Sequence, residues 1–180
     1  MDVLSWLPRI IVNGLLLIWL GVCVYHDLRS RTVPLRLTLP VLGLAAVWRL
    51  ALGGWVPVLL TAVLIIISDL PRRAWRIATV ILAGVLAGLV CGSWQCAAVI
   101  LAILAEWLLW EFGLTGGADA KIILALLLLS GDARLLLWIT LAGGLQGLAG
   151  LLARRKTIPY TLAIFAGTLF WFILQLTAES

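Results

Sequence analysis

Long apolar runs, separated by short charged or glycine-rich breaks, constrain this chain more than any other feature. Runs such as 10–25 and 160–177 are continuously apolar and do not alternate with polar residues. They therefore read as helices and not as barrel strands. Of the 180 residues 64% are hydrophobic and only 12% charged, and the mean hydropathy is +1.18. A soluble domain of this length could not bury so much apolar surface. In lipid only helices and closed barrels satisfy the backbone. The expected fold class is all-α, a polytopic membrane helix bundle, with residues 1–180 forming one integral-membrane domain.

The breaks place eight helices at about 10–25, 37–52, 55–68, 74–90, 95–112, 119–129, 135–153 and 160–177. The third is short: at ~1.5 Å per residue it spans roughly 21 Å and needs a thinned bilayer or flanking residues to cross. The alternative is six crossings plus two short or re-entrant segments. Eight crossings put Arg29, Arg31, Arg36, Arg72, Arg73, Arg76, Lys121, Arg154, Arg155 and Lys156 on one side, leaving Arg9, Arg49 and Arg134 on the other. Ten against three assigns the richer side to the cytoplasm.

The net charge of +5 comes from basic residues scattered through short loops. It reads as membrane topology and not as a nucleic-acid surface. Cys23, Cys91 and Cys96 lie in or beside apolar segments without a CxxC spacing and are expected as buried reduced thiols. The first run ends in Tyr25-His26-Asp27-Leu28-Arg29, so no cleavable signal peptide is expected. Trp6, Trp55, Trp75, Trp94 and Trp138 fall near proposed interfaces, as an aromatic belt does. Gly143 and Gly147 give the seventh helix a small face suited to close packing.

Two carboxylates stand out. Asp119 follows Gly116-Gly117-Ala118 at the lip of a very apolar segment, and Asp27 ends the first run. A carboxylate entering a membrane helix is expensive and marks a functional site by default. An even number of crossings separates the two, so both belong to the cytoplasmic face. Two carboxylates meeting in a partly dry site cannot both ionise easily and hold one proton between them. One member then activates water as general base while the other polarises a carbonyl, which needs neither metal nor cofactor. The plainer roles are an arginine partner for Asp27, beside Arg29 and Arg31, and a helix cap for Asp119. Glu106 lies inside the fifth run, and Glu111 at its interface; either could receive a positively charged substrate, and Glu106 could instead tune the aspartates. Lys121 either neutralises Asp119 or meets lipid headgroups. Asp69, with Arg72 and Arg73, reads as a solvated loop cluster.

The chain resembles the type IV prepilin peptidase family, membrane aspartyl proteases with a GxGD motif. Three ordered stretches carry the resemblance: Asp27 to Pro40, with its Leu37-Thr38-Leu39-Pro40; Gly116 to Lys121, similar to Gly-Gly-Gly-Asp-x-Lys; and Thr157-Ile158-Pro159-Tyr160-Thr161-Leu162-Ala163 opening the last helix. The resemblance implies Asp27 and Asp119 as the catalytic pair, supported by Gly116, Gly117, Ala118 and Lys121. It implies a prokaryotic plasma-membrane enzyme that removes the short basic leader of prepilin or pseudopilin-like precursors at the cytoplasmic face. Its protein partner is a substrate whose leader precedes an apolar helix. Ala118 departs from the motif, which has a second glycine there; alanine suits the position if it needs only smallness and strains it if it needs a positive φ. The stretch between the aspartates also holds two more runs than the family pattern. The chain has no room for the cysteine-bearing domain linked to N-methylation, so proteolysis alone is expected. The competing class is a small transporter or proton-relay protein using Asp27, Glu106 and Asp119; a catalytically inactive relative is the third possibility.

Overall fold

The computed structural model describes the backbone of residues 3–154 and 159–178 and the side chains of residues 11–154 and 159–177. Arg155, Lys156, Thr157 and Ile158, part of the basic loop and of the third motif, lie outside the described residues, as do the side chains of Trp6 and Arg9. Among the described residues eight helices follow one another: α1 (Val3–Ser30), α2 (Leu35–Ala51), α3 (Trp55–Ile67), α4 (Arg73–Val90), α5 (Trp94–Glu111), α6 (Gly117–Ser130), α7 (Arg134–Leu152) and α8 (Tyr160–Ala178). There is no strand among the described residues. Five helices are long and apolar enough to cross a membrane: α4, α5, α7, and the spans Ile11–Ser30 of α1 and Tyr160–Thr177 of α8. Their outward faces carry side chains such as Leu15, Ile18, Leu86, Leu89, Leu145 and Leu151, all exposed. Apolar surface on that scale is what a bilayer covers.

Two compact units divide the chain: residues 1–34 with 137–180, and residues 35–136.

In the second unit α6 is the centre. Its residues are apolar all round, and Ile122 to Leu128 are all buried, as befits a helix enclosed by others. α2, α3 and α5 pack against it. It ends at Gly131, whose φ of +62° is left-handed. The guanidinium of Arg49, near the end of α2, lies directly over Gly131, leaving no room for a Cβ there. A cation at this end complements the unpaired carbonyls of a helix C-terminus. The contact also fixes direction. The C-terminal ends of α2 and α6 meet, so the two helices run parallel and their first residues, Leu35 and Gly117, share the opposite end. The charge-derived topology requires the same relation. That opposite end also holds Asp69, Arg73, Arg76 and Glu111, since α3 and α5 turn there.

Cys91, capping α4, and Cys96, in the first turn of α5, are joined in a disulfide. The expectation of two reduced thiols is corrected: Gly92-Ser93 folds the chain back so that the Cα atoms are 5.8 Å apart, a distance a disulfide spans. This turn is at the end of the unit away from Asp119. Cys23 is buried in α1 and outside the disulfide.

In the first unit α1 packs on α8. α7 and α8 approach so closely that a Cβ on Gly167 would lie 2.6 Å from the Ile139 Cα. The close helix contact is thus made by Gly167 on α8. Gly147, expected to make it, has nothing within 4 Å of its Cβ position, and Gly143 meets the Tyr160 ring instead. Trp138 packs edge-on against Phe170 at 4.7 Å. Trp55, Trp75 and Trp94 are exposed near the starts of α3, α4 and α5, as a belt requires; Trp94 is 80% exposed.

Candidate functional site

Asp27 stands in the last turn of α1 and not in a loop, because the helix continues to Ser30 before Arg31 turns left-handed at φ +57°. A carboxylate at a helix C-terminus is unfavourable with respect to the dipole. Two features offset this. Thr161, 1% exposed, donates a hydrogen bond of 2.7 Å to Asp27 Oδ2. Thr161 is also the second residue of α8, so the positive end of that helix faces the carboxylate. Arg29 is not its partner: the guanidinium donates to the Tyr25 hydroxyl at 2.8 Å. Near the start of α8, Gln146 Nε2 donates to the Pro159 carbonyl at 2.8 Å, fixing the chain where that helix begins.

Asp119 is the third residue of α6, in the turn that begins at Gly116, the N-cap. Gly116 has no side chain to cap the helix, and the carboxylate of Asp119 folds back over it. A Cβ on Gly116 would lie 2.8 Å from Asp119 Oδ2. Gly117 is closely faced too, its Cβ position 3.4 Å from the Trp110 indole nitrogen. Ala118 sits within the helix and is not among the residues with positive φ. The position therefore needs no glycine for backbone reasons, and alanine is unstrained. Lys121 lines a cavity of about 340 Å³ between α3, α5 and α6, together with Ser68, Asp69, Trp107 and Trp110. Asp69, expected within a charged loop cluster, is at the rim of this cavity.

Glu106 is 1% exposed. The Thr115 hydroxyl is beside it and the Asp119 charge acts on it. Both Glu106 oxygens and Thr115 Oγ1 are buried, and apart from this mutual contact none has a hydrogen-bond partner among the described residues. Glu111 is different. Its carboxylate is held by Arg76 at 2.6 Å and by Arg73 at 3.5 Å, with its own side chain 4% exposed. Arg76 also donates to the Leu70 carbonyl, and Arg73 lies over the Phe112 ring. Glu111 thus ties α4 to α5, and its carboxylate is occupied by these two arginines.

The structure thus groups the residues in two sets: Asp27 with Thr161 in one unit, and Asp119 with Gly116, Gly117, Thr115 and Glu106 in the other. The sequence assigns no role to Thr161, Thr115 or Trp110. The one available signal for Thr161 is its place just after Pro159-Tyr160, at the start of a helix. No group of three or more metal-binding side chains occurs among the described residues. Comparison with family models, with curated proteins and with solved structures returned no match.

Proposed function

We propose that this protein is an intramembrane aspartic endopeptidase of the prepilin-peptidase kind. It cleaves the short basic leader of a membrane-anchored precursor at the cytoplasmic membrane face. Asp27 and Asp119 act as the water-activating pair, without metal or cofactor. The observation that carries the reading is the fit of the glycine motif to its aspartate. Gly116 leaves the space that the Asp119 carboxylate fills, so the motif serves that carboxylate and not merely a turn. The hydrogen bond from Thr161 orients Asp27 comparably, and it involves the stretch that opens the last helix, the third part of the family resemblance. The substrate would present its leader to the charged end of the α2–α6 bundle and its apolar helix to the bilayer.

One observation favours a second reading. Glu106 is a carboxylic acid buried inside α5, as expected of a proton-relay or transport protein that uses Asp27, Glu106 and Asp119 in series.

The test is cleavage of a prepilin-like precursor in liposomes by wild type, Asp27→Asn and Asp119→Asn. Each substitution keeps shape and removes the titrating group. The peptidase reading expects cleavage after the leader by wild type and a loss of about 10²-fold or more in both variants. Absence of cleavage by wild type, with proton flux that both variants abolish, overturns it in favour of the relay.

A further inference from the structure

We propose that Glu106 is a positioning residue for Asp119: a buried acid on α5 that shares a proton with the first turn of α6 and so sets the orientation and charge of the Asp119 carboxylate. The proposal deepens the peptidase reading and rests on it for its catalytic consequence, though its primary test does not.

The argument begins with what Glu106 lacks. A carboxyl group with both oxygens buried and unpartnered is costly, and apolar replacements of similar shape are available. Glu106 keeps that cost while Glu111, five residues on, is ion-paired through Oε1 with Arg73 and Arg76. Arginine is therefore close in the fold but directed elsewhere. α6, whose first turn carries Asp119, packs directly on α5, and the Asp119 charge acts on Glu106. Of the other helices packed on α5, α4 directs Arg73 and Arg76 to Glu111, and the turn after α3 places Asp69 at the cavity rim. Thr115, whose buried hydroxyl faces Glu106 and has no other partner among the described residues, is immediately before the N-cap of the helix that carries Asp119. A hydroxyl can both donate and accept, so Thr115 can pass hydrogen-bonding between the two acids. Two buried polar side chains, Glu106 and Thr115, thus converge on the turn that holds one catalytic candidate.

Dicyclohexylcarbodiimide adds to protonated carboxyl groups in apolar surroundings, and the adduct is located by mass spectrometry. Wild type, Glu106→Gln, Glu106→Asp and Thr115→Val are labelled in liposomes. Glu106→Gln keeps size and hydrogen bonding but cannot share a proton. Asp119 labelling is expected to fall about threefold or more in Glu106→Gln, to recover partly in Glu106→Asp, and to fall less in Thr115→Val. Labelling of Glu111 should not change. Where the precursor is cleaved, Glu106→Gln should lower kcat about tenfold with KM unchanged, and the pH–rate profile should lose one titrating step. No labelling of Asp119 in wild type, or labelling unchanged in Glu106→Gln and Thr115→Val, overturns the proposal. Should Glu106→Gln fail to fold, Thr115→Val decides. If wild type cleaves nothing, the peptidase reading fails, while the labelling still decides the role of Glu106.

Discussion

The Thr161 hydroxyl donates a 2.7 Å hydrogen bond to the carboxylate of Asp27, linking the first turn of α8 to the last turn of α1. Hydrogen bonds to charged groups contribute about 1.5–3 kcal/mol, and here the donor is almost wholly buried. Thr161→Val removes the donor at nearly constant volume. Precursor cleavage is expected to fall by about tenfold or more, and Thr161→Ser, which restores the hydroxyl, should recover most of it. The comparison of the two variants in liposomes separates loss of the hydrogen bond from loss of packing.

The glycine motif yields a graded series. A Cβ at position 116 would lie 2.8 Å from Asp119 Oδ2, so Gly116→Ala must displace the carboxylate. Gly117→Ala would meet the Trp110 indole at 3.4 Å, a contact that a small ring shift relieves. Ala118→Gly relieves nothing, because the backbone there is helical without positive φ. The expected order of cleavage activity is Ala118→Gly near wild type, Gly117→Ala modestly reduced, and Gly116→Ala lowest by about 10²-fold, since small misplacement of a reacting group is that costly. Circular dichroism should show unchanged helicity in all three.

Much of the fold was legible because membrane helices announce themselves by uninterrupted apolar composition. All eight were anticipated, with several bounds within one or two residues. The main exceptions were the two ends of α1, which starts at Val3 and not near Ile10, and which runs on through His26, Asp27 and Arg29 where the sequence reads as loop. Near an interface charged side chains can reach water from the helix itself, so the helix runs on to Ser30. Asp119 and its glycines were legible as a motif, but the fold-back of the carboxylate over Gly116 depends on local coordinates. The partner of Asp27 was not legible at all: Thr161 is 134 positions away, and no periodicity links the two. Cys91 and Cys96 show the same limit, since their pairing depends on how Gly92-Ser93 folds back. The Gly143-Gly147 spacing matched a packing motif, yet it is Gly167 that has a neighbouring backbone against it.

Two independent features of the 35–136 unit bear on the proposed orientation. Arg36, Arg72, Arg73, Arg76 and Lys121 belong to the end that holds Asp119, against Arg49 and Arg134 at the other. The Cys91–Cys96 disulfide is at that other end. Disulfides persist in oxidising compartments, and basic residues are retained in the cytoplasm, so both features agree with the proposal that Asp119 faces the cytoplasm and the disulfide the opposite side. In intact cells, an impermeant maleimide should label Cys91 and Cys96 only after treatment with an impermeant reductant. A cysteine introduced at exposed Leu114, near the motif, should react only after the membrane is opened. Reaction of Cys91 or Cys96 solely from the cytoplasmic side would reverse the assignment.

Glu111 and its arginines predict a stability effect with no direct role at the reaction. Its carboxylate is nearly buried, whereas the side chains of Arg76 and Arg73 are 23% and 51% exposed. The pair with Arg73 is therefore screened by water and adds little. The contact with Arg76 is better enclosed, with two of its nitrogens on one Glu111 oxygen at 3.2 and 2.6 Å. Glu111→Gln keeps a hydrogen-bond acceptor but removes the charge, which should destabilise the α4–α5 hairpin by about 1–3 kcal/mol, below the range for a fully buried pair. Arg76→Met should cost more, because it leaves the Glu111 carboxylate poorly compensated. Thermal unfolding in detergent at constant protein and lipid concentration reads both. Cleavage per folded molecule should stay within about twofold of wild type for Glu111→Gln, as it does for surface changes away from a reacting group. A selective loss of turnover at unchanged stability would instead place Glu111 in contact with substrate.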